Sequence, residues 1–90
     1  IQGMEGNPEF WETIIEGRRH DFDLERLERE IVGTADAFAR EKYLDALVLE
    51  CTDLSAFSSS IQDAIHIPVY DINSLVEYAY YAVCRKKYIK

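Results

Sequence analysis

The stretch Ala46-Leu47-Val48-Leu49-Glu50-Cys51-Thr52-Asp53 constrains this chain more than any other. Small and apolar residues and one glutamate run directly into a cysteine–threonine pair, with helix-starting residues just beyond. A continuous apolar run, rather than an alternating one, suits a parallel strand covered by helices on both faces. The strand is expected at about 45–50, where it delivers a thiol to the carboxyl end of a sheet. That is where open α/β folds bind their ligands.

The segments that follow fit the same plan. Ser55 begins a helix through about Ile65, with Phe57, Ile61, Ala64 and Ile65 turned inward. A second strand is expected at about 67–72, with Pro68 at its start, where a missing amide is tolerated. Asp71 to Ser74 offer N-caps for a last helix reaching about Lys87, whose core stripe is Leu75, Val76, Ala79, Ala82 and Val83. Strand, short helix, strand, helix is one right-handed βαβ unit and its following helix. The fold class is therefore α/β, a partial Rossmann-like parallel sheet with flanking helices. Two strands alone make a poor parallel sheet, so upstream strands or a second copy of the chain are expected to complete it.

Upstream, Asn7-Pro8-Glu9 is a helix start: a capping Asn, Pro at the first helical position and an acid in the first turn. Phe10, Trp11, Ile14 and Ile15 follow on one face, and Gly17 stops the helix. The polar connection from Arg18 to Asp23 carries His20, which reads as exposed. Asp23 caps a second helix to about Lys42, with Leu24, Leu27, Ile31, Ala35 and Phe38 as its apolar stripe. Glu25, Arg26, Glu28, Arg29 and Glu30 fall on the wet side. Gly33 within it costs about 1 kcal/mol relative to Ala and implies a close packing contact or a kink. Ile1 to Gly6 resembles a strand end or loop cut from something longer, so residues 1–90 read as an excised or truncated part of a larger protein.

Composition limits the function classes. Of the 90 residues 48% are hydrophobic and 30% charged, an ordinary globular balance. No apolar run approaches the roughly 20 residues of a membrane helix and no signal peptide opens the chain, so neither a membrane nor a secretory route is expected and the cytoplasm is the default. Ten Lys and Arg against seventeen Asp and Glu argue against nucleic acid as partner. The basic cluster Arg85-Lys86-Lys87 reads as a solvated helix end. Both cysteines are expected to stay reduced.

Chemistry then turns on Cys51. At a strand's carboxyl end it would sit near the N-terminus of the next helix, whose free amides can bring a thiol pKa from about 8.5 into the range of about 3.5–7.5. Thr52 adds a hydroxyl and an N–H suited to a substrate carboxylate. A phosphatase-type loop would need Arg where Phe57 stands, and there is no CxxC pair for redox exchange or zinc. A hydrolase would need a histidine base. His66 falls at the far end of the helix that starts beside Cys51 and reads as structural, as does Cys84 in the last helix.

Three segments together resemble the C-terminal half of the aspartate/glutamate racemase superfamily: Leu47-Val48-Leu49-Glu50-Cys51-Thr52-Asp53-Leu54, Ile61-Gln62-Asp63-Ala64 and Ile67-Pro68-Val69-Tyr70-Asp71-Ile72. Gly3-Met4-Glu5, Pro8-Glu9-Phe10 and the helix from Asp23 are similar to one bacterial branch. The resemblance implies an isomerase needing no cofactor and no metal, built of two similar α/β halves with the substrate, a small carboxylic acid, between them. One cysteine thiolate removes the Cα proton and a facing thiol returns one to the opposite face. Cys51 matches the second-half cysteine and Thr52 the neighbour that holds the carboxylate. The facing cysteine would belong to a missing N-terminal half, so the fragment alone would be inactive. Asp53 stands where glutamate racemases usually carry histidine, which disfavours a dicarboxylate substrate. The same scaffold also carries decarboxylases, cis-trans isomerases and hydantoin racemases, and a non-catalytic binding or assembly module is the remaining alternative. A homo-oligomer is a further expectation.

Overall fold

The computed structural model describes residues 1–17, 23–85 and 87. The connection 18–22, including His20, and Lys86 of the basic cluster lie outside them. The described chain is mostly helical, with one small parallel sheet of two strands.

Its longest element, α2 (Leu24–Lys42), has the sequence-expected bounds. Asp23, extended at φ −86°, accepts the Arg26 amide on its carboxylate at 3.1 Å, the N-cap bond that satisfies one free helix donor. Leu27, Ile31 and Ala35 form the buried stripe, Phe38 packs beside them, and Leu24 remains outside. The helix ends on Tyr43, a left-handed residue at φ 52°, whose amide bonds back to Ala39. Gly33 answers neither expected role: the helix runs unbroken through it, and a Cβ built there meets only open space.

Before α2 lies a short α1 (Pro8–Phe10) continued by a π-helical turn, Trp11–Ile15, in which the Glu16 amide reaches the Trp11 carbonyl at 2.9 Å. Gly17, at φ 64°, closes it. Phe10 is buried, Ile14 packs on the core, and Ile15 is exposed. Asn7 begins α1 in position but caps nothing with its side chain. Its Oδ1 accepts the Thr34 hydroxyl at 3.2 Å, tying the entry loop to α2.

The capping of α1 comes instead from Glu30 on α2. Its carboxylate accepts the Glu9 amide at 3.1 Å and the Phe10 amide at 2.9 Å. Glu9, fully buried, reciprocates by accepting the Asp23 amide at the start of α2 at 2.9 Å. Arg26 lies between, 3.6 Å from Glu9 and 3.5 Å from Glu30. Glu30, expected on the wet side, is therefore half of a reciprocal carboxylate clamp that holds two helix starts together.

The strands are shorter than expected. β1 is Leu47–Val48 and β2 is Val69–Tyr70, pairing in parallel with Leu47 opposite Val69 and Val48 opposite Tyr70. Two bonds on β1 extend the ladder by one residue each way: the Leu47 amide to the Pro68 carbonyl and the Leu49 amide to the Tyr70 carbonyl. The expected residues 45–50 and 67–72 thus hold only a short core of regular pairing, because pairing length depends on how much of a neighbour is alongside. Coverage on both faces is also absent among the described residues. Leu47 is buried but Val48 is 66% exposed, so the apolar run marks a strand with one sealed face and one open face.

Between the strands, Thr52–Phe57 form a 3-10 helix and α3 runs from Ser58 to Ile65. Ile61 is fully buried against α2, Leu54 is buried, Phe57 and Ile65 pack on the core, and Ala64 is exposed. α3 ends like α2, on the left-handed non-glycine His66 at φ 58°, before a strand. The Ser60 hydroxyl bonds Glu28 of α2 at 2.5 Å.

The last helix, α4 (Ile72–Val83), starts as expected and packs otherwise than expected. Asp71 and Ser74 form a reciprocal capping box, with the Ser74 amide to Asp71 at 2.8 Å and the Asp71 amide to Ser74 Oγ at 2.9 Å. None of its residues is buried. Leu75, Val76, Ala79, Ala82 and Val83, expected in the core, are all exposed, and the helix ends at Val83 with Cys84 exposed as its C-cap. α4 touches the rest of the molecule mainly at the 3-10 helix, and the fold extends to 52 × 33 × 21 Å. Its Cα radius of gyration, 15.6 Å, exceeds the about 12 Å of a compact domain this long.

Candidate functional site at the sheet end

Both strands run the same way, so their carboxyl ends place Cys51 and Asp71 on one end of the sheet. Cys51 is extended (φ −77°, ψ 125°) and half-buried, packed against the core and held by its carbonyl accepting the Leu54 amide at 3.0 Å. It opens into a cleft of about 440 Å³, largely apolar, whose walls include Met4, Trp11, Phe38, Leu44 and Leu54.

The surroundings of the thiol differ from expectation in one decisive way. The helix after Cys51 is a six-residue 3-10 helix, and α3 begins only at Ser58, so no α-helical dipole is directed at the sulfur. The thiol donates a hydrogen bond to Asp53, whose Oδ2 lies 3.9 Å from Sγ. The carboxylate accepts the thiol's hydrogen bond and so orients the sulfur. The site is thus a thiol–carboxylate pair at a strand end, and Asp53 belongs to it, whereas the sequence offered it only as a departure from a motif.

Thr52 does not share the cleft of Cys51. It is exposed and lines a second hollow of about 560 Å³ on the other side of the strand end, with Tyr70, Asp71, Ser74, Leu75 and Tyr78. Its carbonyl accepts the Ser55 hydroxyl at 2.7 Å. Val48, Leu49 and Glu50 border both spaces, so the strand end is the wall between them.

In that second hollow Asp71 is the group with a shifted acidity. Its carboxyl is held below the ordinary carboxylate value of 3.8, first by the hydrogen bond from the Ser58 hydroxyl, then by the Ser74 amide, with smaller help from the Asn73 amide and the Ser74 hydroxyl; burial opposes these. Asp71 is ionised at neutral pH and already engaged as a cap. His66 is exposed at the opposite end of α3 from the 3-10 helix, and Cys84 is an exposed thiol at the end of α4. Neither is brought to Cys51 by the order of elements. Among the described residues no group of three or more His, Cys, Asp or Glu side chains is placed to hold a metal ion, and no helix is long and apolar enough to cross a membrane.

The chain matches no protein-family model, no curated protein and no solved structure. What can be said of its chemistry rests on the strand end itself.

Proposed function

We propose that the chain provides one half-site of a racemase-like enzyme acting on a small chiral carboxylic acid, built on part of a Rossmann-like sheet, with Cys51 exchanging a proton at Cα. The observation that carries the reading is the position of Cys51: a half-buried thiol just past the carboxyl end of a parallel strand, opening into a largely apolar cleft. An amino-acid Cα proton is a very weak acid, so its removal needs a positioned, partly desolvated base and donors for the developing anion. Asp53 supports the role by orienting the thiol, whose hydrogen bond its carboxylate accepts at 3.9 Å. The same carboxylate repels a second carboxylate on the substrate, which favours a monocarboxylic acid. Thr52 holds the substrate carboxylate in this reading, and the substrate then spans the strand end between the two hollows.

Inversion needs a second acid on the opposite face. Cys84, at the end of α4, is not placed to be that group. The facing acid is assigned to a second α/β unit lying over the Cys51 cleft. A second reading, a decarboxylase or double-bond isomerase using one thiol, is favoured by the carboxylate of Asp53, a second polar group already beside Cys51.

The deciding experiment is deuterium uptake at Cα from heavy water, over a panel of small chiral acids, with the protein including the unit that completes the cleft. Exchange that disappears in Cys51→Ala is the expected result. Exchange indifferent to that substitution, or none with any acid, removes the racemase reading; release of carbon dioxide without exchange would install the one-thiol alternative.

A further inference from the structure

The largest feature left unused by the thiol chemistry is α4. Ile72, Leu75, Val76, Ala79 and Val83 recur at the spacing of a single helix face. That face is open: Leu75 is 61%, Val76 57% and Val83 83% exposed. Tyr80 flanks it on one side, while Leu75 and Tyr78 connect it through the second hollow to Tyr70 and Val48 on the bare side of the sheet. The result is one continuous apolar surface.

We propose that this surface is the interface of a two-fold dimer, in which α4 packs antiparallel against α4 of a second copy of the chain. The proposal stands on observations separate from Cys51. Two arguments select a second copy as the occupant. The first is charge. The N-terminal end of α4 carries ionised Asp71, and its C-terminal end is followed by Arg85 and Lys87. With the two-fold axis at Ala79, the antiparallel register sets Val76 against Ala82 and Leu75 against Val83, and brings Asp71 at the start of one helix toward the basic residues Arg85 and Lys87 that follow the end of the other. Each acidic end thus meets a basic end, and the helix dipoles oppose, so the surface is complementary to itself. Ala79 and Ala82 in the middle leave room for close approach of the two backbones.

The second argument is area. Aromatic side chains bury about 150–250 Å² each when covered. Tyr70, Tyr78 and Tyr80 keep 53%, 79% and 59% of their surface exposed, and with Leu75, Val76 and Val83, each more than half exposed, the area left to cover is on the order of the 800 Å² per partner found in stable interfaces.

The chain at tens of micromolar concentration, followed by sedimentation velocity, should be a dimer. Val76→Glu and Val83→Glu should each weaken association by about tenfold or more, since each buries a charge in the contact. Both residues are exposed in the single chain, so far-UV circular dichroism should show the helix content unchanged. Register is read separately. In a Cys51→Ser, Cys84→Ser background, Ala79→Cys oxidised with diamide should cross-link to a covalent dimer, the two introduced thiols losing their hydrogens to the diazene as the disulfide forms. Ser59→Cys, on the exposed side of α3, should not. A chain that stays monomeric, a dimer that survives both glutamate substitutions, or equal cross-linking at positions 59 and 79 would overturn the proposal.

Discussion

The α1–α2 side of the molecule and the α4 side are made from helices of similar amphipathic quality, yet one is sealed and the other is open. On the first side, Phe10, Leu27 and Ile31 are nearly inaccessible, and the polar groups exposed by two helix starts are paired by the Glu9–Glu30 clamp. On the second, a capping box fixes where α4 begins, but no side chain of the helix is buried. A cap therefore sets a helix boundary without providing a place to dock. Docking needs a facing surface, and among the described residues only the first side has one.

The comparison breaks first if core truncations cost the same on both sides. Ile61→Ala or Leu27→Ala should destabilise by about 2–5 kcal/mol in urea unfolding, through lost transfer energy and the cavity left behind. Val83→Ala under conditions where the chain is monomeric should stay within about 0.5 kcal/mol. Next in size is the clamp. Glu30→Ala leaves the Glu9 and Phe10 amides without their acceptor and should cost about 1–3 kcal/mol, with α1 amides gaining the largest increase in hydrogen exchange.

The cap of α4 should respond to acid in a direction that follows from Asp71. Its carboxyl is more acidic folded than unfolded, so its contribution is complete above the ordinary value of 3.8 and is lost as the pH falls through the lower folded value. The Ser74 amide resonance should therefore move below about pH 4, and Asp71→Ala should remove that response while costing about 1 kcal/mol. The smallest effect sharpens the contrast from the other side. Gly33→Ala in α2 should stabilise the chain by about 0.5–1 kcal/mol, because the added methyl enters open space in a continuous helix.

These differences also mark what the sequence could convey. α2 was legible to its last residue because its signal is local: a capping Asp23 and a stripe repeated over many turns. Cys51 at a strand end was legible for the same reason, an apolar run meeting a helix start. The clamp was hidden because Glu30 meets partners 20 and 21 residues away in sequence, and by local pattern it is one more charge among Glu25, Arg26, Glu28 and Arg29. The exposure of α4 was hidden differently. Its stripe records that a face is fit for cover, and the same residues would read identically whether the cover came from this chain or another molecule. The separation of Thr52 from Cys51 depends on the 3-10 turn that follows them, a geometry that the residues 52–57 do not announce.

The crossover between β1 and β2 has a consequence for how the molecule comes together. α2 can form from neighbouring residues alone, but Leu47 gains its pairing partner only after the 3-10 turn and α3 have been traversed and Val69 has been reached. The sheet is then a late event, waiting on closure of the intervening loop. During synthesis the apolar run through Leu47 emerges before its partner Val69, and the early helix α2 is a surface that can shelter it in the interval.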